Sequence, residues 1–300
     1  MNEVQYIGEH LWVGKLGHFL IILSFTSALL SAIAYFSGVK NTHHQNSWDK
    51  IGRYAFITHG VSLFVLMGTI FYAMYHHMYE YSYVFDHVSE DLPLKYILSA
   101  FWEGQEGSFM LWMFWHVILG FLLIRFAGKL EGPVLFTIAL AEAILMSMLL
   151  GIQIPWGDEA IKIGSNPTTL LRHMNDAPIF ANADYLSLIK GRGMNPLLQN
   201  YWMTIHPPTV FLGFASTIVP FAFAFAGLWI KDHKEWLKPA LPWALFSAGI
   251  HGTGLLMGSL WAYVALSFGG YWAWDPVENA SLVPWITLIA GIHVHLINKN

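Results

Sequence analysis

The sequence predicts an all-α protein, a polytopic transmembrane helix bundle of about seven spans. Three observations carry that expectation. Of its 300 residues, 55% are hydrophobic and only 11% charged, where soluble domains carry about 25% charged residues. Long apolar segments recur along the chain, and about 20 residues at 1.5 Å rise cross roughly 30 Å of hydrocarbon. Lysine and arginine gather in short connections between those segments, as in a chain threaded back and forth with its basic loops on one side. Lipid offers open backbone groups no partner, so each span is expected to be a helix.

The spans are expected at residues 14–37, 54–79, 108–127, 133–154, 207–230, 242–266 and 282–297. Residues 38–53 join the first two and carry Lys40, Lys50 and Arg53. The turn at 125–132 carries Arg125 and Lys129, the connection at 231–241 carries Lys231, Lys234 and Lys238, and Lys299 follows the last span. These mark the cytoplasmic side. On the other side, residues 80–107 hold Lys95 against six acids, residues 155–206 hold four basic residues, and residues 267–281 hold none. In a Gram-negative cell that face is the periplasm, so a bacterial inner-membrane protein with its active face outside is expected. The N-terminus carries Glu3 and Glu9 and no basic stretch, so no cleaved signal peptide is expected. Without repeats or linkers, residues 1–300 read as one membrane domain with outer loops at 155–206 and 267–281.

There is no cysteine, hence no disulfide and no thiolate ligand. Any thiol chemistry needs a partner's thiols. Histidine numbers 15, which in a membrane protein points to metal, haem or proton handling.

Four constellations stand out. The first runs from Ser267 to Trp285 and packs Phe268, Tyr271, Trp272, Trp274 and Trp285 around Gly269, Gly270 and Pro276, with Asp275, Glu278 and Asn279 adding acceptors and a donor. Glycine lets a backbone turn sharply or approach a flat ligand; Trp and Tyr offer rigid faces with one polar handle. An interfacial aromatic belt gives the same composition, but a wet shelf for a flat, apolar ring such as haem also fits. The second is Trp102-Glu103-Gly104-Gln105-Glu106-Gly107-Ser108, where Ser108 is expected to cap the third span. The third is Met194-Asn195-Pro196-Leu197-Leu198-Gln199-Asn200 followed by Ile205-His206-Pro207-Pro208. Two prolines suit a first helical turn, which would fix His206 just outside the fifth span as a capping group or an iron ligand. The fourth is His293, nine residues past Pro284 and so about 13 Å into the bilayer, a depth at which an ionisable residue is a functional candidate. His295, about 200° round the helix, is expected to point elsewhere. His18, His59, His116, His251 and Glu142 also fall inside spans, where the ordinary outcome is a neighbour that satisfies each.

The run Gly269 to Ser281, then Pro284-Trp285, resembles the tryptophan-rich signature of the haem-handling family that includes the CcmF, CcsA and CcmC cytochrome c biogenesis proteins. The family prefers Trp at Phe268 and Tyr271 and a bulky aromatic at Ala273. The Trp102–Ser108 and Asn195–Pro208 elements are similar to CcmF in particular, with Glu103 replacing a small residue and Phe214 a tyrosine. The resemblance covers the chain from about Trp102 onward.

It implies a haem lyase component that joins haem to apocytochrome c. Two thiols of a Cys-x-x-Cys-His segment add across the haem vinyl groups. It implies two b-type haems: a substrate haem at the shelf and an internal one. His206 is implied as an iron ligand of the first and His293 of the second. Tyr271, Trp272, Trp274, Glu278, Asn279 and Trp102 are implied as haem-binding residues. Trp272, Trp274 and Asp275 are implied as the catalytic set. Implied partners are apocytochrome c, a haem chaperone and other maturation subunits, with quinol a further candidate. The family continues beyond this length and carries its second ligands there, which makes this chain an N-terminal portion or split form. Two alternatives remain: a haem transporter or export component without ligation activity, and a quinol-oxidising membrane b-type cytochrome. The second needs paired histidines, for which His59, His116, His251 and His293 are the candidates.

Overall fold

A computed structural model describes residues 5–156, 159–174, 176–265 and 270–297. Ser267, Phe268 and Gly269 of the aromatic run lie outside them. Nine α-helices are described: α1 (Leu11–Lys40), α2 (Gln45–Tyr75), α3 (Ser82–His87), α4 (Leu94–Ala100), α5 (Gln105–Phe126), α6 (Glu131–Ser147), α7 (Tyr201–Trp229), α8 (Leu237–Ala265) and α9 (Pro276–Ile297). One antiparallel hairpin, β1 (Ile152–Trp156) with β2 (Glu159–Ile163), pairs Ile152 with Ile163 and Ile154 with Ile161.

The helical membrane fold is as expected. Six helical segments are long and apolar enough to cross a bilayer: α1, α2, α5, residues Gly128–Ser147, α7 and α9. The remaining expected segment, 242–266, is helical as part of α8 and has the length, 29 residues, but is not among those six. It falls short in apolar content because Gly249, Gly252, Gly254, Gly258, Ser247 and His251 dilute its leucines. The expected span at 133–154 is shorter than forecast. Its helix ends at Ser147, and Gly151 takes φ +63. Pro155 and the β-branched Ile152 and Ile154 then suit the extended hairpin.

The chain divides into two compact units. The first comprises Met1–Ser24, Val61–Met110 and Leu145–Gln199. It is built around buried Tyr81, Tyr185, Phe101, Met74 and Met110, with Phe71 stacked on Phe101 at 4.2 Å. Polar groups stitch its segments together. The Glu9 carboxylate accepts from Arg172 at 2.8 Å and from the Tyr185 hydroxyl at 2.9 Å. The Tyr81 hydroxyl donates to the His10 carbonyl at 2.8 Å and accepts from the Gly14 N–H at 2.7 Å.

The second unit comprises Phe25–Gly60, Leu111–Ile144 and Asn200–Asn300. Its core includes Tyr35, Phe56, Leu119, Leu123, Leu135, Val219 and Phe223. At one end Arg53 grips the buried Glu131 carboxylate with two guanidinium nitrogens, and the Tyr35 hydroxyl donates to the same carboxylate. α7 and α8 approach closely because glycines face backbone: a Cβ on Gly213 would meet His251 Cα at 2.7 Å, and one on Gly254 would meet Val210 Cα at 2.8 Å. Without a hydrophobic force between helices in lipid, such close packing of small residues holds the pair. α9 leans on α8 through Trp285, whose Nε1–H donates to the Ala248 carbonyl at 2.8 Å.

Candidate functional site

The stretch from Tyr271 into α9 forms a shelf whose shape is set by its own polar groups. Pro276 opens α9, where a missing N–H costs nothing. Asp275 precedes it as the cap. The Glu278 N–H donates to Asp275 Oδ1 at 2.7 Å, and Glu278 Oε2 accepts from the Asp275 N–H at 3.3 Å and the Ala273 N–H at 2.8 Å. This is a reciprocal capping box with Asp in the Ser/Thr place. Asn279 Nδ2 donates to the carbonyls of Trp274 at 2.9 Å and Asp275 at 3.0 Å. The network holds Trp274 at φ +59, a left-handed conformation that a bulky residue adopts only when its surroundings enforce it.

The aromatic rings are displayed by this frame. Trp274 is 68% exposed. Trp272 stands edge-on to it, centroids 5.9 Å apart and planes at 80°, and the Trp272 indole N–H is buried without an acceptor. Tyr271 stacks flat on Tyr263 of α8 at 4.3 Å and 5°. The three polar residues implied in haem binding or catalysis, Asp275, Glu278 and Asn279, thus all bond to backbone, and the offered surface is aromatic.

His206 differs from expectation in its setting. α7 begins six residues earlier than forecast, because the Asn200 side chain caps it by accepting from the Trp202 N–H at 3.0 Å. His206 therefore lies within α7 and not outside it, and Pro207 and Pro208 sit inside the helix. The carbonyl of Pro208 is taken up by the Trp115 indole N–H at 3.0 Å. The half-buried His206 ring lies 5.6 Å from Trp261 of α8 and near Gly258, whose absent side chain leaves it room. Its Nδ1 is buried with no hydrogen-bond partner.

His293 lies within α9, on an exposed face. Its Nδ1 bonds to the Ile289 carbonyl at 2.8 Å, which fixes Nδ1 as the protonated nitrogen and leaves Nε2 with a free lone pair, as metal-ligating imidazoles are held. His295 faces a different surface, lining a groove against α7 and α8. These features fit haem: a fixed imidazole, a second one with an orphaned nitrogen, and a pair of indoles of which Trp274 is exposed and Trp272 half-buried.

In the first unit the Trp102–Ser108 element is also recast. α5 starts at Gln105, so Ser108 is not its cap; the Ser108 hydroxyl donates back to the Trp102 carbonyl at 2.9 Å. Gly107 is required there, since a Cβ would fall 1.5 Å from the Phe101 carbonyl oxygen. Half-buried Trp102 is held by this turn. Two motifs that look separate in sequence meet here: Glu103 Oε1 accepts from the Asn195 N–H at 3.1 Å, while Oε2 is buried without a partner. Burial holds the Glu103 carboxyl above its ordinary range, against the opposing pull of the Asn195 N–H and of His87.

Of the polar residues expected to be satisfied inside spans, Glu142 meets the expectation and His251 does not. Glu142 of α6 is fully buried and bridges helices: one oxygen bonds His59 Nε2 of α2 at 2.7 Å, the other His116 Nδ1 of α5 at 2.8 Å. That engages His59 Nε2 and His116 Nδ1 with one shared carboxylate. His251 of α8 is the exception to the rule that spans satisfy their histidines: it is 0% exposed and neither ring nitrogen has a partner. Periodicity does not signal the Glu142 bridge, because its partners lie 83 and 26 residues away in sequence.

A family model described as Cytochrome C assembly protein matches residues 102–300. The chain is similar to the cytochrome c-type biogenesis protein CcmF of Pseudomonas aeruginosa, 31% identical over 94% of this chain and 40% of that protein. It is 29% identical to the cytochrome c-type biogenesis protein ccl1 of Rhodobacter capsulatus, over 92% of this chain and 39% of that one. A solved structure titled Cytochrome c Heme Lyase CcmF superposes with a TM-score of 0.76 at 23% identity, covering 96% of this chain and 42% of that one. The chain thus spans about two fifths of the length of these relatives.

Proposed function

This chain belongs to the Cytochrome C assembly protein family, as a CcmF-type member, and from that premise we propose that it is a haem-handling component of a cytochrome c haem lyase. Its relatives' names place them in cytochrome c biogenesis. The observation that carries the reading is the frame of residues 271–279: its carboxylates and amide bond to backbone, and the Trp274 indole stands exposed. An anionic rim would repel haem propionates; an aromatic one accepts the macrocycle.

Haem supplies the two vinyl groups across which two cysteine thiols of apocytochrome c add, each S–H giving one S–C and one C–H bond. The chain's part is orientation, which can contribute several kcal/mol (about 7–11 in favourable intramolecular cases). Tyr271, Trp272 and Trp274 hold the flat ring. His206 offers an imidazole from within α7, beside Gly258 of α8. His293 offers Nε2 to an internal b-type haem. Asp275, Glu278 and Asn279 are positioning residues that keep Trp274 in its enforced conformation, and Trp102 adds an aromatic face in the first unit. Apocytochrome c, a haem chaperone and further maturation subunits are the partners, with the shelf on the periplasmic face of a bacterial inner membrane. The lysine and arginine pattern supports that orientation.

The test is a haem count by pyridine haemochrome on the purified chain, made alongside its maturation partners. His206→Ala is expected to lose the outer haem and keep the inner one; His293→Ala is expected to do the reverse. Unchanged haem content and unchanged cytochrome maturation in both variants would defeat the assignment.

A further inference from the structure

A groove of about 910 Å³ opens between α7, α8 and α9, and nothing in the haem reading uses it. Its chemistry changes along its length. Away from the helix ends, Pro220, Phe221, Ala224, Leu288 and Ile292 make apolar walls. At its mouth stand three basic side chains, Lys234, Lys238 and His295. The α9 wall runs from Pro284 to His295, about 16 Å at 1.5 Å per residue. That is close to half of a roughly 30 Å hydrocarbon core, the depth of one leaflet.

The cations at the mouth are uncompensated. Among the described residues neither lysine forms an ion pair with a carboxylate. Of the two acids nearby in sequence, Asp232 turns its Oδ1 onto the backbone N–H groups of Lys234 and Glu235, at 3.2 and 3.1 Å. Glu235 is exposed. α9, which forms one wall, is also the least covered of the six apolar spans: 11% of its most apolar window is buried, against 50% or more in the others.

We propose that this groove seats one anionic phospholipid, its phosphate against Lys234, Lys238 and His295 and an acyl chain along α9. Basic recesses between transmembrane helices on the lysine-rich side take anionic headgroups. The charge decides the occupant. A zwitterionic lipid carries a choline cation beside its phosphate, so its headgroup brings the two lysines no net negative charge. An apolar helix laid in the groove would press those groups against hydrocarbon, and buried charge without a partner is costly.

The test uses the whole purified chain in mild detergent. Stripped of lipid, it is offered dioleoyl-phosphatidylglycerol or dioleoyl-phosphatidylcholine at equal concentration, and bound lipid is counted by native mass spectrometry. The wild-type chain is expected to retain the glycerol lipid at least tenfold better than the choline lipid. Lys234→Gln with Lys238→Gln is expected to reduce that retention to the choline level. Ala244→Phe, which intrudes on the apolar wall, is expected to abolish both. Equal retention of the two lipids by the wild-type chain overturns the proposal without any variant. So does retention undiminished in the double variant, or displacement of the lipid by inorganic phosphate alone.

Discussion

Removing the carboxylate of Glu142 strands two imidazoles inside the second unit. The side chain is fully buried and bonds His59 Nε2 at 2.7 Å and His116 Nδ1 at 2.8 Å. Hydrogen bonds to a charged group contribute about 1.5–3 kcal/mol each, so Glu142→Leu, which makes none, should cost about 3–6 kcal/mol. Glu142→Gln can still accept with its carbonyl and donate with its amide to an imidazole in the other tautomer. Interhelical bonds between neutral side chains in membranes average only about 0.6 kcal/mol, so the glutamine variant should recover roughly 1 kcal/mol of that loss. The order of stability is therefore wild type, then Gln, then Leu. Taking all three groups out together is different. Replacing a whole buried polar set by apolar side chains of similar volume is often neutral or stabilising, so His59→Phe with Glu142→Leu and His116→Phe should regain most of what Glu142→Leu loses. Thermal unfolding of the purified chain, followed by far-UV circular dichroism, reads this directly. A drop on the order of 10 °C is expected for Leu. Unfolding of the Leu and Gln variants at the wild-type temperature would refute the reasoning, as would a triple variant no more stable than Leu alone.

Gly107→Ala should destabilise the first unit by about 1–3 kcal/mol or more, since the added carbon falls on the Phe101 carbonyl and the backbone has to yield; a wild-type melting temperature would show that it yields freely. Glu278→Ala should speed hydrogen exchange at the Ala273 and Asp275 amides, whose acceptor it removes, with a cap loss of about 0.5–2 kcal/mol; unchanged exchange would show that Asn279 alone holds the frame. Glu103 gives a pH effect of definite sign. Its folded pKa is raised, so the native state holds the extra proton and stability is greatest below the ordinary Glu value of about 4.3 and lost as pH rises through the raised one. Glu103→Gln should remove that part of the slope in melting temperature against pH; a slope that persists assigns it elsewhere.

The fold was largely legible because a bilayer imposes so strict a rule. An apolar run long enough to cross has to be a helix, and α1, α2, α5, α7 and α9 were readable from that alone. What misled was local termination. The prolines after His206 suggest a helix start, but Asn200 supplies a side-chain cap that fixes the start before them. Gly107-Ser108 suggests a cap, but the glycine is there for the Phe101 carbonyl and the serine for Trp102. Proline and serine each have two structural uses, and only the neighbours in space select one. The site was legible in composition but not in role. Sequence gave the aromatic run and its acids equal standing; geometry separates them, turning Asp275 and Glu278 onto backbone and Trp274 outward.

The marginal apolarity of α8 follows from the same packing that places the candidate ligands. Gly252, Gly254, Gly258 and His251, four of the residues that dilute it, each have a close neighbour on α7 or α9. Gly213 on α7 meets His251 of α8, Gly254 of α8 meets Val210, and Gly258 of α8 meets the ring of His206. Gly252 receives the edge of Trp285. Larger side chains at these glycines would raise the hydropathy of α8 and push α7 and α9 away from it. His206 stands on one of those neighbours and the acidic cap of the shelf opens the other, so both depend on α8 staying slender. An expectation based on apolar length alone counts α8 as one more span. Its glycines show it to be the post on which α7 and α9 lean, and a membrane helix can give up apolarity on faces that touch protein.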